Sequence, residues 1–288
     1  IAHLKPPRPM PPVASRPRRL SVTRIETLMR DPCSIYADKI LRLKPLDPHD
    51  QPIEYKEFGM ALHAALEHFI QQGGMSAAQP LEQLLEEGRK ALAVYADTPL
   101  ADALWWPRFE KIAAWIIRVM PAVLASREEA EGTWKFPLPG GEFTLTAKVD
   151  RIYRDAQGVH LLDYKTGSPP SARETAIGLA NQLILAAVIA QKGGLGAEYA
   201  NQPIASLSYW HLIGGNEGGE VKKVGEGGRY SGPNPEELAE IAAQKLPELL
   251  AQFDRQEMPY LAVPDARFQP KNDDYAHLAR ILEWGFSH

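Results

Sequence analysis

The sequence contains one cysteine, no long apolar run and no surplus of basic residues, and each of these absences excludes a class of protein. Cys33 is the only cysteine among 288 residues, so no internal disulfide and no metal centre built from several cysteines can form. No apolar run approaches the roughly 20 residues of a membrane-spanning helix, and no secretory signal peptide is recognisable. We therefore expect a protein of the reducing cytoplasm that does not have a membrane as a partner.

The charge balance and the motifs narrow the class further. A formal net charge of −4 gives no overall positive field for nucleic acid. It does not exclude a nuclease, because acidic metal ligands lower the total while a local groove binds the substrate. No Gly-x-x-x-x-Gly-Lys-Ser/Thr loop occurs, so the chain encodes no motor of the P-loop type.

The first twenty residues have the composition of a linker. Residues 1–20 hold six prolines and five lysines or arginines with no acidic residue, a composition that stays extended and forms no core of its own. We expect 1–20 to be a linker from an upstream domain and 21–288 to be the folded domain. An arm that contacts phosphates is the alternative. Because the sequence begins with Ile1, we also expect it to be part of a longer protein.

Apolar periodicity predicts helices first and strands later. Residues 55–72 carry apolar side chains at helical spacing, and further helices are predicted at 81–95 and 104–129. These form a helical insertion, about 75–130, ahead of a sheet. Strands are predicted at 132–138, 142–154 and 203–213, and an almost wholly apolar helix at 173–191 should be buried against the sheet. The pattern indicates an α/β fold.

A predicted hairpin brings charged residues together at one strand end. Val159–Leu162 is an apolar strand that leads into Asp163, Tyr164 and Lys165. Side chains repeat every two residues along a strand, so Asp163 and Lys165 share a side, and Asp150 on the preceding strand lies beside them if the hairpin pairs. Two carboxylates and an ammonium suit a divalent cation and a phosphate.

Two other acid-x-Lys tripeptides in the chain lack this setting. Glu54-Tyr55-Lys56 precedes a helix and Glu220-Val221-Lys222 lies in a glycine-rich segment.

The roles of two polar residues on predicted helices stay open from the residues alone. His63 lies beside an apolar stripe, where a lone histidine is usually structural or solvated. Gln182 interrupts a buried helix, so its amide either bonds backbone or faces the active cleft.

The order of these residues resembles a known family. Gly59, His63 and Glu67, then Asp150, then Asp163-Tyr164-Lys165-Thr166-Gly167, then Gln182 are similar to the motifs of the RecB-like branch of the PD-(D/E)xK nuclease superfamily. The stretches 20–36, 164–178 and 275–284 resemble the C-terminal nuclease domains of AddB subunits, which belong to AddAB helicase–nucleases. The resemblance implies a restriction-endonuclease-like core, a central mixed β-sheet flanked by helices.

Two departures from the family pattern limit what the resemblance implies. The glutamine motif usually has a tyrosine four residues on, where this chain has Ala186. This weakens the expectation of a substrate contact there. Some AddB-type nucleases hold an iron–sulfur cluster on four cysteines. Cys33 stands at the first of those positions and the other three are missing, so we expect no iron–sulfur cluster.

The resemblance also implies a set of site residues. His63, Asp150, Asp163 and the backbone carbonyl of Tyr164 would bind Mg²⁺ or Mn²⁺. Asp150, Asp163 and Lys165 would be catalytic, with Lys165 orienting or deprotonating the attacking water and stabilising the transition state. Gln182 would support this set or face DNA, and Glu131 is a further candidate that could position a helix or a metal-bound water.

The implied function is that of a metal-dependent DNA exonuclease that cuts single strands. Its partners would be single-stranded DNA from unwound duplex ends and an AddA-type helicase–nuclease subunit, in double-strand break repair and homologous recombination. Two alternatives remain. One is a catalytically inactive nuclease fold that binds DNA or scaffolds a partner, and the other is a stand-alone nuclease of the same branch.

Overall fold

The structure is a computed structural model, and it describes residues 7–45, 55–95, 101–120, 126–176, 178–227, 230–265, 267, 270 and 274–280. Its helices are α1 (Val22–Arg30), α2 (Pro32–Ile35), α3 (Tyr55–Gln71), α4 (Pro80–Leu92), α5 (Trp106–Val119), α6 (Ala172–Ala176), α7 (Gln182–Gln191) and α8 (Pro235–Gln252). Its strands are β1 (Arg19–Ser21), β2 (Ser126–Leu138), β3 (Gly141–Arg154), β4 (Val159–Lys165), β5 (Ile204–His211), β6 (Glu220–Lys223), β7 (Glu226–Gly227) and β8 (Tyr230–Ser231).

A mixed sheet of β1 to β6 forms the centre of the described part of the chain. The strand order is β1-β3-β4-β5-β6, with β2 paired along the other edge of β3. β3 is antiparallel to β2 and β4, β4 is parallel to β5, and β5 is antiparallel to β6. The predicted pairing of β3 with β4 as a hairpin is thus confirmed, and so is the predicted mixed α/β fold.

One edge of β3 is shared by two strands, and this produces a fork in the sheet. β4 pairs with residues 151–154 of β3, whereas β1 runs parallel to residues 144–146. The last β3–β4 pair before the fork is Arg151 with Leu162. Asp150 and Asp163 are the next residue on each strand, so both carboxylates lie where β3 and β4 separate.

Helices cover both faces of the sheet, and each face has its own hydrophobic core. Side chains of α1, α7 and α8 pack with Leu161, Leu207 and Tyr209 on one face. Side chains of α3, α4 and α5 pack with Leu162, Tyr164 and Trp210 on the other. The period-2 alternation along β4 and β5 explains how one strand supplies both cores, since neighbouring residues point to opposite faces.

Two predicted helices differ from the observed ones. The helix predicted at 104–129 is wrong beyond Val119, because the chain is already in β2 by Ser126. The helix predicted at 173–191 is interrupted: α6 ends at Ala176, Gly178 takes a positive φ of 76°, and α7 begins at Gln182. Glycine adopts that left-handed conformation without steric cost. Gln182 therefore opens a helix.

The described end of the predicted linker is packed against the domain. The guanidinium of Arg16 is buried and donates to the carbonyls of Phe253, Arg255 and Gln256, and to that of Pro11. Tyr260 N donates to the carbonyl of Pro9. The guanidinium donors of Arg16 thus tie this part of the predicted linker to the chain after α8. The boundary at residue 20 stays a prediction.

Within the described residues, no helix is both long and apolar enough to cross a membrane.

Replacing Arg16 with lysine should destabilise the domain. A lysine keeps the charge but cannot present five donors in a fork. We expect a loss of roughly 2–4 kcal/mol in the free energy of unfolding, the scale of one or two buried carbonyls left without a donor. Chemical denaturation measures this. Arg19→Lys is the matched control, because Arg19 is exposed. Equal stability of the two variants would contradict the prediction.

Candidate metal centre

The fork between β3 and β4 holds Asp150 against the backbone of the opposite strand. Asp150 Oδ2 accepts a hydrogen bond of 2.7 Å from Tyr164 N. This bond crosses the gap that opens after Arg151 and Leu162, so it substitutes for the strand pairing that ends there. It also fixes one carboxylate oxygen of Asp150 and leaves Oδ1 directed to its other neighbour, His63.

His63 reaches the fork from α3. Its Nε2 lies 3.1 Å from the carbonyl oxygen of Tyr164, and its Nδ1 lies 3.4 Å from Asp150 Oδ1. Gly59, one turn earlier on α3, permits this approach because a Cβ there would lie 3.0 Å from Thr166 Oγ1. The helix can therefore pack directly against the end of β4. Sequence alone left His63 ambiguous, and the structure brings it into contact with Asp150 and Tyr164.

Asp163 lies on the other side of the fork, between Lys165 and Gln182. Its Oδ2 is 2.7 Å from Lys165 Nζ, and its Oδ1 accepts a 2.8 Å hydrogen bond from Gln182 Nε2. Gln182 is the first residue of α7, and its backbone N donates to Glu26 Oε1 on α1 at 2.7 Å. The Asn181 side chain does not cap α7, so Glu26 supplies an acceptor for the helix N-terminus from another element.

Burial and like charge shift the protonation of the site. Burial, together with the charge of Asp150, raises the pKa of Asp163 to about 6, although Lys165 and His63 act in the opposite direction. Burial lowers the pKa of His63, but the hydrogen bond and charge of Asp150 outweigh it, so the net pKa is raised. Burial likewise raises the pKa of Glu26, against backbone hydrogen bonds that lower it.

Glu129 is a further acidic residue at the fork, and sequence reasoning missed it. It lies opposite Asp150, between the register pairs Glu128–Arg151 and Ala130–Val149. One ligand atom each from His63, Glu129 and Asp150 lie within 4.8 Å of one another. The sequence predicts a helix at 104–129, with Glu129 as its last residue. A residue at a helix end gives no reason to expect pairing with Asp150 on a strand. A signal for strand was present in the alternating apolar residues that follow it.

The backbone of Glu129 is unusual. Its φ is 52°, in the left-handed region that residues other than glycine rarely adopt. Such conformations cost about 1–3 kcal/mol and cluster at functional sites. The side chain also pairs with Lys148. An outlier of this kind directly beside Asp150 and His63 supports a function for the Glu129 carboxylate.

Glu131 lies farther from the fork than Glu129. It pairs in register with Lys148, is exposed, and follows Glu129 by two residues on the same face of β2. At about 3.3 Å per residue, this separates the two by roughly 7 Å along the strand. The predicted supporting role of Glu131 stays a prediction, and Glu129 is the acid that lies beside the predicted ligands.

Behind the fork, on the face covered by α3, lies a buried ion pair. Arg151 Nε is 3.3 Å from Glu128 Oε1, and both side chains are almost fully buried. Burial raises the pKa of Glu128 to about 8, against the opposing charge of Arg151. Glu128 precedes Glu129 and Arg151 follows Asp150 in the sequence, so this buried pair lies directly beside two of the candidate ligands.

The donor set fits a hard divalent cation. Carboxylate oxygens of Asp150 and Glu129 and a nitrogen of His63 lie within 4.8 Å of one another, and the Tyr164 carbonyl oxygen lies 3.1 Å from His63 Nε2. Asp163 is outside this group, and its oxygens contact Lys165 and Gln182. Mg²⁺ prefers oxygen ligands, and an added imidazole also suits Mn²⁺. Burial and the charge of Asp150 raise the pKa of Asp163, and the charge of a bound cation would oppose both effects.

Comparison with known proteins gives a family match over most of the chain. A sequence model of the PD-(D/E)XK nuclease superfamily matches residues 19–267. The match extends from β1 through the fork, α7 and α8.

Curated relatives are similar but uncharacterized. Uncharacterized proteins from Rickettsia bellii and Rickettsia conorii are each 27% identical, over 65% and 62% of this chain. The chain spans only 23% of the length of each of these two relatives. Among solved structures, SSO0001 matches at 12% identity with a TM-score of 0.31, covering 80% of this chain and 75% of that one. That likeness is too distant to carry an argument.

Binding of Mn²⁺ should weaken as the pH falls through about 6. The pKa of Asp163 is about 6 and that of His63 is raised, and both groups must lose their protons to bind a cation. At a pH well above these pKa values Asp163 and His63 are deprotonated, and the affinity for Mn²⁺ no longer depends on their protonation. Below these pKa values, the apparent dissociation constant should rise about tenfold per pH unit for each proton displaced. Calorimetry in buffers of different ionisation enthalpy measures the protons released, and zero release would contradict the assignment.

Glu129→Gln should weaken Mn²⁺ binding more than Glu131→Gln does. The first change removes a charge beside His63 and Asp150, and the second removes an exposed charge two residues away. We expect a loss of roughly 10–100-fold for Glu129→Gln and almost none for Glu131→Gln, measured by the same titration. A larger loss for Glu131→Gln would favour the residue predicted from sequence.

Proposed function

The chain belongs to the PD-(D/E)XK nuclease superfamily, and we propose that it is a metal-dependent nuclease that hydrolyses phosphodiester bonds of single-stranded DNA. One observation carries the proposal. The Asp163–Lys165 ion pair of 2.7 Å lies at the same fork as the His63–Asp150 contact of 3.4 Å. A lysine among several carboxylates and an imidazole suits a reaction in which an anionic substrate meets a bound cation.

We propose that His63, Asp150, Asp163 and the Tyr164 carbonyl hold Mg²⁺ or Mn²⁺, with Glu129 as a further ligand. When bound, the cation lowers the pKa of water and neutralises charge that builds on the scissile phosphate. The protein contributes fixed positions. Asp150 is held by Tyr164 N, and His63 lies between the Tyr164 carbonyl and Asp150, so these side chains are already gathered at the fork.

Lys165 is the proposed catalytic group. Its ammonium is held by Asp163 and is partly exposed, so it can face a phosphate from the solvent side. In that position the ammonium would orient the attacking water and stabilise negative charge in the transition state. Only as a neutral amine would Lys165 instead take the proton of that water. A compact ammonium suits this role because it acts as a point charge on a flexible stem.

Gln182 and Glu26 are proposed to position Asp163. Gln182 binds Oδ1 of Asp163, which leaves Oδ2 for Lys165. Glu26 holds the backbone of Gln182 at the start of α7. The side-chain amide of Gln182 would act through Asp163 and not on the substrate. This agrees with the presence of Ala186 where the family has a tyrosine, since that departure weakens the expectation of a substrate contact.

The finer proposal is an exonuclease that acts with a helicase. It rests on the resemblance to AddB-type domains, which implies an AddA-type helicase–nuclease partner and a role in double-strand break repair and homologous recombination. Curated relatives more than four times as long as the matched part are compatible with further domains beside the nuclease. A catalytically inactive scaffold is the second candidate. The presence of both fork carboxylates and Lys165 argues against it, because loss of function removes the constraint on such residues.

Cleavage of labelled single-stranded DNA tests the proposal. We expect Mn²⁺-dependent cleavage by the wild type, and a fall of roughly 10²–10³-fold in kcat for Asp163→Asn and for Lys165→Gln. Lys245→Gln is the control, because Lys245 is an exposed lysine paired with Glu248 on α8. Mn²⁺ binding with no cleavage would favour the scaffold. Cleavage that persists in both site variants would overturn the assignment of these residues.

A further inference from the structure

A groove opens beside the metal centre on the side of β6. It has a volume of about 710 Å³, and its lining includes Pro169, Pro170, Tyr209, Lys222 and Lys223. The loop between β4 and α6 forms one wall and β6, at the edge of the sheet, forms the other. We call it the lysine groove. Neither the metal centre nor the roles proposed above use it.

Tyr209 connects the lysine groove to the metal centre. On three neighbouring strands, Asp163 pairs with Tyr209 and Tyr209 pairs with Lys222. Paired residues point to the same face of a sheet, so these three side chains form one row. Lys165 Nζ also lies 5.9 Å from the centre of the Tyr209 ring. The row therefore leads from the site of cleavage directly into the groove.

The length of the row suits a short piece of nucleic acid. Neighbouring strands lie about 4.8 Å apart, so Lys222 is roughly 10 Å from Asp163 across the sheet. One strand of a duplex advances about 3.4 Å per nucleotide. The groove therefore begins roughly two to three nucleotides from the position at which a phosphate would meet Lys165.

The walls of the groove combine charge with apolar surface. Lys222 pairs with Glu220 at 2.9 Å and Lys223 pairs with Glu226 at 3.6 Å, and all four side chains are at least 44% exposed. Exposed ion pairs of this kind contribute little free energy. The ammonium of either lysine can therefore exchange its carboxylate partner for a phosphate. The two prolines, together with Val221, which is 45% exposed, offer apolar surface for sugars and bases.

We propose that the lysine groove binds the single strand on one side of the scissile phosphate, with Lys222 and Lys223 contacting its phosphates. This inference rests on the proposed nuclease function. It adds a binding site of stated chemistry: a polynucleotide strand, recognised through its phosphates without base-specific contacts. Phosphate contacts position a strand and carry no sequence information directly, so the groove should bind strands of any sequence.

The salt dependence of binding tests the proposal. Fluorescence anisotropy would follow labelled oligodeoxythymidylate with EDTA present, so that no cleavage occurs. We compare the wild type with the double variant Lys222→Ala/Lys223→Ala. Two lost phosphate contacts should reduce the slope of log affinity against log salt by about 1.4, at about 0.7 per contact for a single strand. The variant should also bind more weakly at every salt concentration.

The control removes two lysines elsewhere. Lys135 pairs with Glu142 at 3.4 Å on the β2–β3 hairpin, and Lys245 pairs with Glu248 at 2.9 Å on α8. Lys135→Ala/Lys245→Ala changes net charge by the same amount as the groove variant. It should leave the slope at its wild-type value, which separates loss of a contact from loss of overall charge.

Three outcomes would overturn the proposal, and they differ in what they say about the nuclease. If the wild type cleaves DNA with Mn²⁺ and the groove variant keeps the wild-type slope, the groove assignment fails and the proposed function stands. If the wild type neither binds nor cleaves DNA, both fail. If poly-aspartate displaces the DNA completely from the wild type but not from the groove variant, the groove takes an acidic polypeptide instead.

Discussion

The burial of Asp163 beside Asp150 is the constraint on which the arrangement of the fork depends. Two carboxylates follow the last paired residues of neighbouring strands, and each would raise the energy of the other in a site sheltered from water. The surrounding contacts offset that cost, because each carboxylate oxygen has its own partner. Tyr164 N and His63 take the oxygens of Asp150, and Gln182 and Lys165 take those of Asp163.

This arrangement draws on every layer of the fold. The carboxylates come from the sheet, His63 comes from the helices on one face, and Gln182 comes from α7 on the other. The buried Glu128–Arg151 pair lies under the fork on the His63 side. Removal of either residue would leave a buried polar group without its contact. A site assembled from three layers is preorganised because no single loop determines its geometry.

The sequence predicted the parts of the site that lie close together in the chain. The apolar run before Asp163 and the turn before it were sufficient to place Asp163, Lys165 and Asp150 on one hairpin. Glu129 could not be found in this way, because aromatic and apolar residues at helical spacing extended the predicted helix over it. Its left-handed backbone also breaks the strand pattern at that residue. Glu26 could not be found from the sequence, since its contact with Gln182 joins residues 156 positions apart.

The buried guanidinium of Arg16 has a mechanical consequence for the fork. It ties Pro11 to the segment 253–256 that follows α8. A pull on the chain before Pro11 would therefore be resisted first by these hydrogen bonds, before it reaches β1, the short strand that shares an edge of β3 with β4. The clamp therefore shields the spacing of the fork from a force applied to the chain before Pro11.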